Sequence, residues 1–137
     1  MKVQDIMTKG VCFVSPDTTL GKVSDLMAGD GIGVIPVCDK SGLVGMVTDR
    51  DIVVRGMARG YGPDVSVATV MSGGAAVISP TAGLDEAVRL MGERQVRRLP
   101  VVSEGKLVGM LSVGDIARAG RLDAEVAAAE EGIAEER

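Results

Sequence analysis

The chain has 137 residues, 46% of them apolar, with one Phe, one Tyr, no Trp, no His and a net charge of −4. That length makes one domain or two small ones, and the core must be aliphatic. The missing imidazole excludes Ser-His-Asp and Cys-His catalysis and any His-ligated zinc, and with almost no aromatics there is almost no stacking platform for single-stranded bases.

Met1-Lys2-Val3-Gln4-Asp5 lacks the apolar core of a signal segment, and no apolar run reaches the length of a membrane span, so a cytoplasmic protein is expected. Val11 to Val14 reads as a short strand stopped by Ser15-Pro16. Leu20, Val23 and Met27 recur at helical spacing, with Thr18 as the expected N-cap. Val34 to Cys38 and Leu43 to Val47 are β-rich runs around Asp39-Lys40-Ser41-Gly42, a hairpin signal. A second helix opens at Thr48, and the stretch from Met57 to Asp64 is rich in turn residues.

From there the pattern starts again. Leu84, Ala87, Val88 and Met91 mark a helix with a weaker start at Ala82-Gly83. Leu99 to Val102 and Leu107 to Leu111 flank Ser103-Glu104-Gly105-Lys106, and a last helix opens at Ser112. A shift of 64 residues, without a gap, brings Met7 onto Met71, Ser15-Pro16 onto Ser79-Pro80, Leu43-Val44-Gly45-Met46 onto Leu107-Val108-Gly109-Met110, and Asp51-Ile52 onto Asp115-Ile116. The chain is a tandem duplication.

The expected fold is α+β: two β-α-β-β-α repeats packed with pseudo-two-fold symmetry, their sheet faces buried against each other. The boundaries are 1–57 for the first repeat, 58–64 for a linker, 65–121 for the second repeat and 122–137 for an acidic Ala/Glu-rich tail. The paired methionines 7 and 71, 27 and 91, and 46 and 110 are expected to fill gaps in the core. The tail has helical propensity but isolated apolar residues, Val126 and Ile133, and reads as a frayed helix. Residues 121–137 hold six carboxylates against two arginines, which leaves residues 1–120 with 13 charges of each sign. A neutral body with an acidic tail is a poor match for nucleic acid or an anionic membrane.

Two readings stand for Cys12 and Cys38, both on expected strands of the first repeat: a pair of reduced thiols, or a redox-sensitive disulfide. Gly29, Gly31 and Gly33 do not make a dinucleotide fingerprint, because Val34 follows and the segment precedes a strand. The sharpest chemical pattern follows each hairpin, where Thr48 and Ser112 stand three residues before Asp51 and Asp115. One reading is a helix capping box. The other is a ligand site, since a helix N-terminus favours phosphate and an aspartate there accepts from ribose hydroxyls.

The duplicated unit resembles the CBS domain, and the chain from 1 to about 121 resembles a stand-alone CBS pair, or Bateman module, of the small bacterial type. The resemblance rests on Asp5-Ile6-Met7 and Val70-Met71-Ser72, on Ser-Pro before the first helix, on Leu99-Pro100-Val101-Val102, and on the hydroxyl-x-x-Asp-Ile endings. It implies a non-catalytic regulatory or sensor protein with no required cofactor and no metal, binding an adenosyl ligand (AMP, ADP, ATP, NAD or S-adenosylmethionine) between the repeats. By the same resemblance, Asp51 and Asp115 would take ribose hydroxyls, assisted by Thr48 and Ser112. Val14, Ser15, Ile35, Ile78, Ser79 and Leu99 would lie against the base. One cleft is expected to join Thr48 and Asp51 with Arg97 and Arg98, whose forks suit phosphate; the other would join Ser112 and Asp115 with Arg50. A homodimer acting on an unknown protein effector is implied. The alternative is a ligand-free structural or interaction module in which both hydroxyl-x-x-Asp pairs are only caps.

Overall fold

The computed structural model describes residues 1–120 and position 128; the expected tail helix falls almost wholly outside the described residues. Along the chain run α1 (Val3–Ile6), α2 (Leu20–Asp30), β1 (Val34–Asp39), β2 (Gly42–Thr48), α3 (Asp49–Asp51), α4 (Leu84–Arg94), β3 (Arg98–Ser103) and β4 (Lys106–Ser112). The chain is helical again from 113 to 120, here called α5. The elements α2, β1, β2 and α3 recur as α4, β3, β4 and α5, as the internal repeat requires.

Each helix forms for a local reason and ends for one. In α2, Leu20, Val23 and Met27 turn one face inward and are buried. The cap is Thr19, not Thr18: Thr19 Oγ1 accepts the amide of Lys22 at 3.2 Å, while the Thr18 hydroxyl is taken by the amide of Ser15 at 3.1 Å. The helix stops at Gly31, whose φ of 64° lets the Ile32 amide return to the Met27 carbonyl at 3.1 Å. Its counterpart α4 starts at Gly83 without a side-chain cap, as expected, and ends on Gln95 at φ 52°. Ala87 and Met91 face inward there, but Val88 is 52% exposed and so stands off the expected core face. After α3 the chain widens into a π-helical turn over Ile52–Gly56, where buried Gly56 lets the backbone approach Leu20 and Val70.

Both hairpins form where turn residues separate the β-rich runs. β1 and β2 pair antiparallel from Val34↔Thr48 to Asp39↔Gly42, and β3 and β4 from Arg98↔Ser112 to Ser103↔Lys106. The expected strand at Val11 to Val14 reduces to one parallel bridge, Val14↔Val37, repeated as Ile78↔Val101. Ser15-Pro16 ends the pairing at once, because proline has no amide to continue a ladder and Ser15 turns back onto Thr18.

The cores do not follow chain order. One cluster joins Leu20, Val23, Ile35, Val37 and Val47 with Val67 and Val70; the other joins Ala87, Met91, Leu99, Val101 and Leu111 with Val3. The leading segment of each repeat thus packs into the other repeat. Val3 and Gln4 donate to the carbonyls of Ala82 and Pro80 at 2.9 Å each, and Val67 and Ala68 donate to Thr18 and Pro16 at 2.7 and 3.1 Å. Thr8 exchanges both backbone bonds with Met110, as Ser72 does with Met46. Every partner in these pairs moves to its counterpart under the 64-residue shift, so the pseudo-two-fold symmetry holds bond by bond.

Two cores correct the expectation of sheet faces buried on each other. Each sheet is covered by its own helix and the visiting segment, and the repeats meet edge to edge along β2 and β4. There the Leu43 amide donates to the Gly105 carbonyl at 3.1 Å and Lys106 Nζ to the Lys40 carbonyl at 2.6 Å. Met27, Met91 and Met110 are buried, whereas Met7, Met46 and Met71 are only half-buried at the junction of visiting segment and hairpin.

Candidate functional site

The start of α5 combines strand, cap and charge. Ser112 ends β4, its hydroxyl accepts the Asp115 amide at 3.0 Å, and its own amide donates to Asp115 Oδ2 at 3.0 Å. This reciprocal box holds the carboxylate at one position beside the last strand residue. The exchanged leading segment brings the Thr8 hydroxyl to 3.4 and 3.5 Å from the two carboxylate oxygens. From one turn along α5, Arg118 Nη2 donates to Asp115 Oδ1 at 2.5 Å. Among the described residues Asp115 is the one buried polar or charged residue, at 7% exposure. A buried charge needs partners, and these are its partners.

Asp115 lies in the wall of a cavity of about 590 Å³ with sides from both repeats. The first repeat contributes Thr8, Gly10, Val11, Cys12, Asp30, Ile32 and Val34; the second contributes Arg97, Arg98, Met110, Ser112, Val113, Gly114, Asp115 and Arg118. The volume is within the usual range for small-molecule sites. Arg97 and Arg98 are exposed, and among the described residues neither has a carboxylate partner within ion-pair distance. The arrangement offers one fixed acceptor, a half-buried apolar wall of Val11, Ile32 and Val34, and two forked cations.

The expected division into clefts is therefore redrawn. Arg97 and Arg98 stand with Ser112 and Asp115, not with Thr48 and Asp51. The hairpin register dictates it: Arg98 pairs directly with Ser112, and the Val113 amide donates to the Arg97 carbonyl at 2.9 Å. Residues just before β3 must lie beside residues just after β4. Arg50 is exposed and Thr48 and Asp51 are half-buried, and all three are outside this cavity's wall. These last two form their own box, Thr48 amide to Asp51 Oδ2 at 2.9 Å and Asp51 amide to Thr48 Oγ1 at 3.1 Å, with Arg55 Nε at 3.9 Å from Asp51 Oδ1.

The expected base-facing residues are also elsewhere. Val14, Ile35, Ile78 and Leu99 are buried in the two cores, while Ser15 and Ser79 are exposed, with their hydroxyls on Asp17 and Thr18 and on Thr81 respectively. Strand alternation keeps Ile35 and Leu99 out of this cavity's wall: they point into the cores, so Val34 and Arg98, one residue earlier, point to the cavity. That parity was open to a reading of the strands. The roles of Thr8 to Cys12 carried no such signal, because they depend on the exchange of leading segments. Arg118 had one: it is three residues after Asp115 on a helix.

Cys12 and Cys38 are both half-buried free thiols, Cys12 in the cavity wall and Cys38 on β1. Burial, with Asp39 adding to it, pushes the Cys38 thiol above its ordinary value of 9.0. Among the described residues no cluster of three or more His, Cys, Asp or Glu side chains could hold a metal ion, and no helix is long and apolar enough to cross a membrane.

The duplicated hairpin with an exchanged leading segment and a hydroxyl-x-x-Asp cap agrees with comparison to known families: the model of the CBS domain matches residues 3–57 and 67–121. The chain belongs to the CBS-domain family. The chain is 40% identical over 117 residues to hypoxic response protein 1 of Mycobacterium tuberculosis, covering 84% of this chain and 82% of that protein. The crystal structure of Hypoxic Response Protein I with two coordinated zinc ions is similar at a TM-score of 0.79 and 38% identity, over 86% of this chain and 98% of that one. The structure of CBSX2 in complex with AMP is similar at 0.80 and 30% identity, over 90% and 98%. The resemblance to small stand-alone CBS pairs is thus met.

Proposed function

We propose that this CBS pair is a non-catalytic, cytoplasmic sensor or regulatory module that takes an adenosyl ligand bearing phosphate in the cavity between its repeats. AMP, ADP, ATP and NAD carry that chemistry, and S-adenosylmethionine is the cationic member of the set. The observation that carries the reading is Asp115, the one carboxylate buried among the described residues, held by its cap in the wall of a cavity that also presents Arg97 and Arg98. Asp115 accepts the ribose hydroxyls with Ser112 beside it, the two guanidinium forks take phosphate, and Val11, Ile32 and Val34 flank the base. That a relative 30% identical is described in complex with AMP supports it.

A ligand with one side on each repeat acts on the angle between them. It biases a partner only if it binds the two arrangements unequally. The output then passes through a homodimer and a separate effector chain. A second reading, a ligand-free interaction module, draws on the capping boxes, whose hydrogen bonds are complete without a ligand.

The test is a thermal-shift titration with AMP, ADP, ATP, NAD and S-adenosylmethionine on the wild type, Asp115→Asn and Arg98→Ala. Ligand at about 100 times its dissociation constant adds roughly 2.7 kcal/mol, a shift of several degrees for a chain of this size. The expected result is a shift with at least one phosphate-bearing ligand that both substitutions diminish. No shift with any of the five overturns the proposal in favour of the interaction module.

A further inference from the structure

We propose that Arg118 makes this cavity select anionic adenosyl ligands over neutral ones, by serving as the counter-ion of Asp115 until a ribose displaces it. The inference rests on the placement of the ribose at Asp115 given above. Each oxygen of Asp115 already carries a partner: Oδ2 holds the Ser112 amide at 3.0 Å, Oδ1 holds Arg118 at 2.5 Å, and the Thr8 hydroxyl lies at 3.4 and 3.5 Å from the two. Ribose hydroxyls approaching Asp115 from the cavity meet the Arg118 guanidinium, which lines that cavity and occupies Oδ1, and compete with it there. The Ser112 amide is fixed by the start of the helix. The Arg118 side chain is 63% exposed against 6% for Asp115, so it can leave, and unlike the exposed Thr8 hydroxyl it carries charge.

What becomes of the displaced guanidinium sets the preference. It borders the same cavity as Arg97 and Arg98. A phosphate on the ligand provides a new partner there, and a bidentate one. A neutral nucleoside provides none, so its binding loses an ion pair without replacement. The first repeat has no equivalent at that register, since the residue aligned with Arg118 is Val54, which is 55% exposed. There Asp51 faces Arg55 at 3.9 Å instead, and Arg55 is also bonded to Ser72 at 3.3 Å. Among the described residues the close pair belongs to the Asp115 side, and the Asp51 pair is looser and shared with Ser72.

The experiment compares AMP with adenosine by calorimetric titration on the wild type, Arg118→Ala and Arg118→Lys. The two ligands move in opposite directions in Arg118→Ala: AMP binds more weakly for want of a phosphate partner, and adenosine more tightly because no ion pair must open. The ratio of the two affinities falls by about tenfold, the lower end expected for a charged hydrogen bond. Arg118→Lys, which keeps the charge without the fork, lies between. Unliganded melting of both variants reports folding separately, and a purely structural role would weaken both ligands together. An unchanged ratio, or parallel weakening, overturns the selection by Arg118 while leaving the cavity assignment in place. Binding of neither ligand to the wild type overturns the selection by Arg118, while the cavity assignment is decided by the five-ligand titration above.

Discussion

Replacing Gly42 with alanine tests the seam between the repeats most directly. Gly42 has a φ of 122°, and a Cβ built there falls 1.9 Å from the carbonyl oxygen of Gly105 on the opposite hairpin. Neither side of that contact is a side chain that can rotate away. The left-handed backbone costs a non-glycine residue about 1–2 kcal/mol. Parting the strands also loses the bond from the Leu43 amide to Gly105, worth about 1 kcal/mol. The sum is about 2–3 kcal/mol before the displacement of the hairpins is counted, or roughly 8–12 °C in Tm for a chain of this length. Gly105→Ala is the control. Its φ of 79° brings the same kind of backbone strain, but its Cβ would sit 3.5 Å from the Ser41 carbonyl, an ordinary contact. Thermal unfolding of the two variants should place Gly42→Ala well below Gly105→Ala. The cavity walls come from both repeats, so Gly42→Ala should also weaken nucleotide binding at temperatures where it remains folded. Equal melting temperatures would refute the edge-to-edge seam described here.

Two further perturbations address the exchange of leading segments and the half-buried thiol of Cys38. Val3→Ala removes a fully buried side chain from the cluster around Leu99 and Leu111 and should cost about 1–3 kcal/mol; amide hydrogen exchange should loosen β3 and β4, distant in sequence, while β1 and β2 keep their protection, and the reverse pattern would sink the exchange. Cys38 is held above the ordinary thiol value first by burial, then by Asp39, so it remains protonated through pH 8 and its alkylation should keep accelerating with pH beyond 9; a rate that levels off below pH 9 would contradict that environment.

The duplication, the order of elements within each copy and the hairpin boundaries were legible because they rest on local chemistry. Apolar residues at period 2 or 3.6, turn residues between them, and a hydroxyl three residues before an aspartate each act over a few positions. The capping boxes at Thr48–Asp51 and Ser112–Asp115 needed nothing more than the chain beside them. Burial of Val23 and Met27 likewise follows from helical spacing. The short strand at Val11 to Val14 failed because one parallel bridge does not make a strand once Ser15-Pro16 turns the chain.

What only the tertiary structure decided is which copy each piece serves. Segments 3–7 and 67–71 carry the same apolar pattern wherever they dock, and nothing local distinguishes their own repeat from the other. Packing across the pseudo-two-fold axis makes that choice, through bonds such as Val3 to Ala82 and Val67 to Thr18. The choice places Thr8 to Cys12 across from Arg98 and Asp115 and so builds one cavity from both repeats. The arginines could have been assigned from hairpin register alone, since antiparallel pairing returns the chain to its starting end. Local sequence thus determined the parts and their caps. Long-range packing, which depends on surface shape and not on any short pattern, determined how the parts meet at a ligand.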